Sequence, residues 1–231
     1  GQGIMRAVIL AAGMGTRLGK PWPKPLTPLS DGRTIMRQQM DNLLASFADL
    51  RITTVVGFKL ELILEAFPDV TYVYNENYDR TNTNRSLLKA LRQSADGGVL
   101  WLNGDVVFDP RVLERVTDLI HAGQSFICVN TAVVGEEEVK YTVDADGFVD
   151  SLSKTVVDAL GEAVGINFVS GDDKPMLIER LAECDDSDYF ERGIELMVEK
   201  DGARVLPFAI RALFAVEVDF KEDLSRANQH L

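Results

Sequence analysis

The sequence predicts an α/β fold: one doubly wound, mainly parallel mixed sheet flanked by helices, with a small antiparallel hairpin flap. Three observations point there. Short apolar runs alternate with helical patterns through the first half, the first run ends in a glycine-rich loop, and hairpin signals replace crossover spacing after about residue 130. With 231 residues, 46% hydrophobic and 26% charged, the chain has ordinary globular composition and enough length for one large core. No linker, repeat or low-complexity tract divides it, so residues 1–231 read as one domain. Residues 1–4 read as a cloning remnant ahead of a native start at Met5.

Each element follows from local pattern. Ala7–Ala11 is an apolar run of strand length, and Ile35–Phe47 sets Ile35, Met40, Leu43, Leu44 and Phe47 at helical spacing. Ile52–Val56, rich in β-branched residues, predicts the second strand, followed by a short amphipathic helix over Leu60–Phe67 and a strand over Val70–Tyr74. Ser86–Gln93 predicts a helix and Val99–Leu102 the fourth strand. Asp109-Pro110 opens a helix over Arg111–Ile120, with Asp109 as its N-cap. Phe126–Val129 is the fifth strand. Tyr141–Val143 and Phe148–Leu152 then flank the turn tetrapeptide DADG, a hairpin signal, so that about residues 131–170 form the flap region. Val164–Val169 is a strand, Lys174–Ala182 and Tyr189–Glu199 are helices, Arg204–Phe208 and Leu213–Val216 are short strands, and Phe220–Gln229 is a closing helix.

Composition excludes several function classes. A formal charge of −12 argues against a nucleic-acid groove or an anionic membrane surface as partner. No apolar run approaches the roughly 20 residues that span a bilayer. The N-terminus lacks a secretory pattern, so the expected location is the cytoplasm. Cys128 and Cys184 read as reduced structural thiols, and two histidines, His121 and His230, make no zinc-ligand spacing.

Against this acidic background the stretch AVILAAGMGTRLGKPWPKPL, Ala7 to Leu26, stands out for its glycines and its cations Arg17, Lys20 and Lys24. Ligands of open α/β sheets sit beyond the carboxyl ends of the strands, where glycines let backbone N–H groups wrap an anion. Arg17 adds a forked, charge-assisted contact suited to phosphate oxygens. A dinucleotide fingerprint is excluded: Leu18 stands where its third glycine belongs, and Pro21, Pro23, Pro25 and Pro28 prevent a helix from opening. The Gly-Lys-Ser/Thr of a P-loop is missing as well.

The composite LAAGMGTRL…PKPL resembles the signature of nucleotidyltransferases that join a nucleoside triphosphate to a phosphorylated acceptor, and is most similar to that of the small bacterial cytidylyltransferases. The resemblance implies a nucleotide bound by Leu10, Ala11, Ala12, Gly13, Gly15 and Thr16, the glycine loop cradling the triphosphate and the backbone of Ala11 and Ala12 reading the base edge, with Arg17 and Lys24 as the catalytic cations. Lys20 falls outside the motif. A Mg²⁺ ion accompanying the triphosphate needs hard oxygen ligands. Asp105, in WLNGDVVFD, resembles the family's metal aspartate beside Gly104, with a plain turn role as the alternative. Glu217 and Asp219, in FAVEVDF, share one face of an extended chain and resemble the paired acids of the choline-phosphate branch. Asp219 as a cap of the last helix is the other reading.

Asn84 and Ser86 align with the relatives' polar segment near base and ribose, or else cap a helix. Lys140 and Lys154 flank the hairpin and, with Glu162 in GEAVGINFVS, are the implied acceptor ligands under the flap; exposed lysines are the plainer alternative. Val139-Lys140 stands where a choline-type site would carry tryptophan, leaving Tyr141, Tyr189 and Phe190 as candidate cage residues. The implied reaction moves a nucleotidyl group, from CTP by this resemblance, to a small phosphorylated or phosphonate acceptor. A sugar-1-phosphate uridylyl-, thymidylyl- or guanylyltransferase and a silent nucleotide-sensing subunit are the alternatives. The exposed hairpin is a candidate homodimer contact.

Overall fold

The computed structural model describes residues 3–132 and 134–231; Gly1, Gln2 and Val133 lie outside the described residues. In chain order the elements are β1 (Met5–Ala11), α1 (Ile35–Ser46), β2 (Leu50–Val56), α2 (Leu60–Ala66), β3 (Thr71–Tyr74), α3 (Thr83–Gln93), β4 (Val99–Asn103), β5 (Val106–Phe108) and α4 (Arg111–His121). There follow β6 (Phe126–Asn130), β7 (Lys140–Val143), β8 (Val149–Ser153), β9 (Gly161–Val169), α5 (Lys174–Glu183), α6 (Phe190–Asp201), β10 (Leu206–Ala209), β11 (Ala215–Glu217) and α7 (Lys221–Gln229).

The main sheet runs β10-β6-β9-β4-β1-β2-β3. Strands β4, β1, β2 and β3 are parallel, as the β-α rhythm predicts, and β10 is parallel to β6. Between them β9 lies antiparallel to both β4 and β6, which makes the sheet mixed. The β7–β8 hairpin forms at the DADG turn and extends the same sheet by pairing β7 with β9.

Pleating sends alternate residues of β1 to opposite layers. Ala7, Ile9 and Ala11 pack with Met36, Met40 and Leu43 of α1 and Val112, Leu113 and Val116 of α4. Val8 and Leu10 pack with Leu87, Leu88 and Leu91 of α3, Leu177 and Leu181 of α5, and Ile194 and Met197 of α6. Trp101 of β4 is 1% exposed and meets Phe190 edge-on, ring centroids 5.5 Å apart at 88°. Buried on both faces, β1 reads as an unbroken apolar run rather than an alternating one. Among the described residues no helix is long and apolar enough to cross a membrane.

The structure departs from the sequence reading at two strands. Val106–Phe108 is a separate strand after the Gly104-Asp105 turn, and the last short strand pairs with it as an antiparallel two-stranded ribbon outside the main sheet. Three-residue strands carry too little periodicity to declare a partner. The register sets Glu217 opposite Val106, and the amide of Val218 donates to the Asp105 carbonyl at 2.9 Å. Two segments more than 100 residues apart thereby bring their carboxylates together.

Candidate active site

The loop leaving β1 is shaped by two left-handed glycines, Gly15 (φ 59°) and Gly19 (φ 67°), on either side of a 3₁₀ turn over Thr16–Leu18. Leu18 anchors this turn in a small apolar cluster with Leu29, Ile35 and Val218. A second 3₁₀ turn, Lys24–Leu26, follows Pro23 and places Lys24 against Gly15, where a Cβ would stand 3.2 Å from the lysine's own Cβ. The prolines that forbid a helix here impose the reversal that returns Lys24 to the sheet edge.

Lys24 Nζ donates to Asp219 Oδ1 at 2.7 Å and to Asp105 Oδ2 at 3.2 Å, its side chain 14% exposed. Asp105, Glu217 and Asp219 each present an oxygen within 4.8 Å of the others'. Burial opposes the charge on Lys24, but the two aspartates outweigh it through their fields and hydrogen bonds and hold the ammonium above the ordinary lysine value. Burial pushes the Asp105 carboxyl up, Lys24 opposes this, and Asp219 adds to it. Glu217 is driven well above the carboxylate range by burial and then by Asp105, Glu138 and Asp219. Glu138, on the facing loop, is pushed up to about 7 by burial and the neighbouring acids, Glu162 first. Three acids and one ammonium leave excess negative charge that a divalent cation would relieve. Asp105 Oδ1 is buried without a hydrogen-bond partner, a hard oxygen donor still unspent.

Polar side chains of α1 brace the floor of this site. Gln39 Nε2 donates to the carbonyls of Asn103 (2.8 Å) and Val106 (2.9 Å), astride the turn that carries Asp105. Gln38 and Asn42 both donate to the Phe108 carbonyl, at 2.6 and 2.9 Å. Replacing Gln39 by Leu strands two carbonyls, so Gln39→Leu is expected to lose about 2–3 kcal/mol in urea denaturation. Turnover should fall with it, because the Asp105 turn loses its brace; an unchanged urea midpoint would show that the brace carries no energy. Gly165, at φ 83°, leaves room for Glu217: a Cβ there would stand 2.8 Å from Oε1.

These groups line one cavity of about 480 Å³. Leu10, Ala11, Gly13, Gly15, Thr16, Arg17, Lys24, Gly104, Asp105, Lys154, Glu217 and Asp219 all reach it. Arg17 also lies over the Phe220 ring, 5.6 Å from its centroid. Asp219 does not cap the last helix: Asp223 Oδ2 accepts from the amides of Asp219 (3.0 Å) and Phe220 (2.8 Å), which frees the Asp219 carboxylate for Lys24.

Six residues singled out in the sequence go elsewhere. The Ala12 carbonyl accepts from the Phe58 amide at 3.1 Å and the residue is not part of the cavity wall. Helix α3 begins at Thr83, three residues earlier than its pattern suggests, with the Asn82 side chain accepting from the Thr83 amide. Asn84 and Ser86 therefore lie within the helix and are buried, neither of them a cap nor part of the wall: Asn84 donates to the Asp185 carbonyl (2.8 Å), and Ser86 accepts from Asn75 (3.0 Å). Asn82 and Thr83 line the cavity in their place. Lys140 is buried and donates to the carbonyls of Gly135, Glu136 and Glu138 at 3.0–3.1 Å, so it fastens the loop before β7 rather than facing the cavity. Glu162 accepts from the Gly135 amide at 3.1 Å and secures the same loop. Tyr141 is a core residue, whereas Tyr189 and Phe190 line the cavity.

The wall also includes Tyr78, Asn103, Glu138, Asn167 and Glu191. Sequence reasoning missed these. For Tyr78 a signal existed in Gly57, where a Cβ would come within 2.5 Å of the Tyr78 side chain.

A family model described as the MobA-like NTP transferase domain matches residues 7–143. A CMP-5'-(3-aminopropyl)phosphonate synthase of Streptomyces rubellomurinus is 42% identical over 121 residues, covering 48% of this chain and 19% of that protein. The bifunctional protein GlmU of Methanococcus maripaludis is 34% identical over 116 residues, covering 48% of this chain and 27% of its own length. The match thus spans about a fifth to a quarter of these curated relatives. Among solved structures, the CTP:phosphocholine cytidylyltransferase LicC of Streptococcus pneumoniae superposes with a TM-score of 0.76 at 18% identity, over 98% of this chain and 99% of that one. The inositol-1-phosphate CTP transferase of T. maritima gives 0.76 at 16% identity, over 100% and 99%. At such identities the likeness is one of fold. With the glycine loop and Asp105 both inside a family match that takes in more than half of the residues, the chain belongs to the MobA-like NTP transferase domain family.

Proposed function

We propose that this protein transfers a nucleotidyl group from CTP to a small phosphorylated or phosphonate acceptor, releasing pyrophosphate. The observation that carries the proposal is the meeting of Lys24 with Asp105 and Asp219 at the mouth of the glycine loop. CTP is favoured over other triphosphates because the relative from Streptomyces rubellomurinus is described as making a CMP derivative, and two structural neighbours are described as using CTP.

Asp105, Glu217 and Asp219 would hold Mg²⁺, which when bound there neutralises phosphate charge and makes the α-phosphorus more electrophilic. The chain's own groups do the rest. Bare amides around Gly13 and Gly15, with Arg17, bind the outgoing phosphates. Lys24, already charged, turns from the carboxylates to the phosphate as negative charge builds there. The acceptor's phosphoryl oxygen, ionised near neutral pH, attacks the α-phosphorus in line without a general base. A new oxygen–phosphorus bond forms as the bond to the β-phosphate oxygen breaks, and pyrophosphate takes the electron pair.

Pyrophosphate release, followed with CTP, UTP, dTTP and GTP against a panel of phosphate and phosphonate acceptors, tests the reading. Turnover is expected with CTP, and only with a divalent ion present. Preference for another triphosphate would overturn the assignment of CTP. Nucleotide binding without turnover for every pair would point to the sensing role instead.

A further inference from the structure

Past the carboxylate trio the cavity runs to the start of α6, where Tyr189, Phe190 and Glu191 form its wall. Glu191 is 7% exposed, and its Oε2 is buried without any hydrogen-bond partner. A carboxylate held that way is strongly disfavoured unless something supplies charge and donors. Its place in the first turn of α6 offsets only part of the penalty.

Of the neighbouring cations, Arg192 is engaged elsewhere, and Lys154 reaches Glu191 through its field without a hydrogen bond to it. Arg192 pairs with Glu195 at 3.1 Å and Glu199 at 3.7 Å. Lys154 Nζ sits 3.3 Å from the Tyr189 hydroxyl and 4.7 Å from its ring centroid. Asn167, on the same cavity wall, has a buried Nδ2 with no acceptor. Besides the Asn103 and Asp105 oxygens, the cavity therefore holds an unspent acceptor in Glu191 and an unspent donor in Asn167, with the exposed Tyr189 ring next to Glu191 in the chain.

Resting on the transferase reading above, we propose that Glu191 recognises the acceptor, and that the acceptor carries a protonated primary amine: an ω-aminoalkyl phosphate or phosphonate. An ammonium brings both the positive charge and the N–H donors that Oε2 lacks, and the Tyr189 ring offers it a π face. Lys154 is then free to meet the acceptor's phosphoryl group. A quaternary ammonium brings charge without a donor, and a polyol or sugar brings donors without charge. The titration of Glu191 agrees: burial pushes it up to about 8, its own backbone amide and Lys154 oppose this only in part, and a bound ammonium would further favour the ionised form.

The test compares kcat/KM for 3-aminopropylphosphonate, its N-trimethyl form, propylphosphonate and glycerol phosphate, with CTP and Mg²⁺, in the parent protein and Glu191→Gln. The parent should prefer the primary amine over propylphosphonate by about 100-fold or more, because the amine-free compound leaves buried polar groups unpaired. Glu191→Gln should bring that preference down to a few-fold with the KM for CTP unmoved, and should melt no lower than the parent, because glutamine has the shape of the protonated carboxyl that burial favours in the free protein. Glu191→Asp should recover part of the preference. An equal preference in Glu191→Gln, or turnover of glycerol phosphate with the amine refused, overturns the proposal while the transferase reading stands. If nothing is turned over, the transferase reading fails. Calorimetry with CTP then decides for Glu191: tighter binding of the amine, lost in Glu191→Gln, supports it, and equal binding of propylphosphonate overturns it.

Discussion

Lys24→Met is expected to cut pyrophosphate release by about 10²–10³-fold, the usual consequence of losing one preorganised contact to transition-state charge. It should also destabilise the protein, because Lys24 is the ammonium that bridges Asp105 and Asp219. Removing one partner of a buried ion pair costs roughly 3–5 kcal/mol, and these side chains, 14–25% exposed, belong near the lower end. The pH dependence follows from the signs. Lys24 is held above its ordinary value, so its contribution is complete through the neutral range and fades only as pH rises through that raised value. Asp105 and Glu217 are also raised, so they favour folding while protonated and disfavour it as pH climbs through their folded values. Without Lys24, the main influence lowering Asp105 is gone, and the deficit of Lys24→Met should widen from pH 4 towards pH 7. Added Mg²⁺ should narrow it by supplying positive charge to the same oxygens. Denaturant melts at several pH values, beside the pyrophosphate assay, check both parts. Turnover near the parental rate would remove Lys24 from the chemistry, and a pH-independent deficit would refute the electrostatic account.

Gly104→Ala is expected to be the most damaging of the small substitutions. A Cβ at Gly104 would stand 2.4 Å from the Leu10 carbonyl oxygen and 3.1 Å from Pro25 Cγ. The first is backbone in the centre of the sheet and cannot swing aside. The Gly104 amide also donates to that carbonyl at 2.9 Å, tying the end of β1 to the turn that bears Asp105. Overpacking of this kind costs about 1–3 kcal/mol where side chains can adjust, so a loss of about 3 kcal/mol or more is expected here. Activity should fall further than stability alone accounts for, since the β1 loop and Asp105 move apart. A urea midpoint within error of the parent would show that the backbone gives way more easily than the geometry implies.

Much of the frame was legible in the chain. The apolar runs that became β1 and β4 are buried on both faces, so their composition alone marks them, and β2, buried only over Thr54–Val56, is marked by its β-branched residues. Helix α1 follows its pattern to within a residue, and the β7–β8 hairpin forms at the predicted DADG turn. The early start of α3 was harder to see. Asn82 and Thr83 are polar and stand before the apolar periodicity, so the helix begins in a stretch that carries none. That shift of one turn removes Asn84 and Ser86 from the cavity wall and brings Asn82 and Thr83 to it.

By itself the sequence determined the order of the helices and of the strands other than Val106–Phe108, and the glycine-rich, proline-broken course of the first loop. Both rest on short-range rules: periodicity, the missing Cβ of glycine and the locked φ of proline. Only the tertiary structure decided which of several equivalent-looking charges reach the cavity. Lys140 and Lys154 have the same side chain, yet one is spent on three carbonyls and the other stands in the cavity. Asp219 and Asp223 are both placed to cap α7, and Asp223 takes that role while Asp219 turns to Lys24. A charge acquires its function from the partners and the solvent left to it, and those are set by which distant segments pair across the sheet.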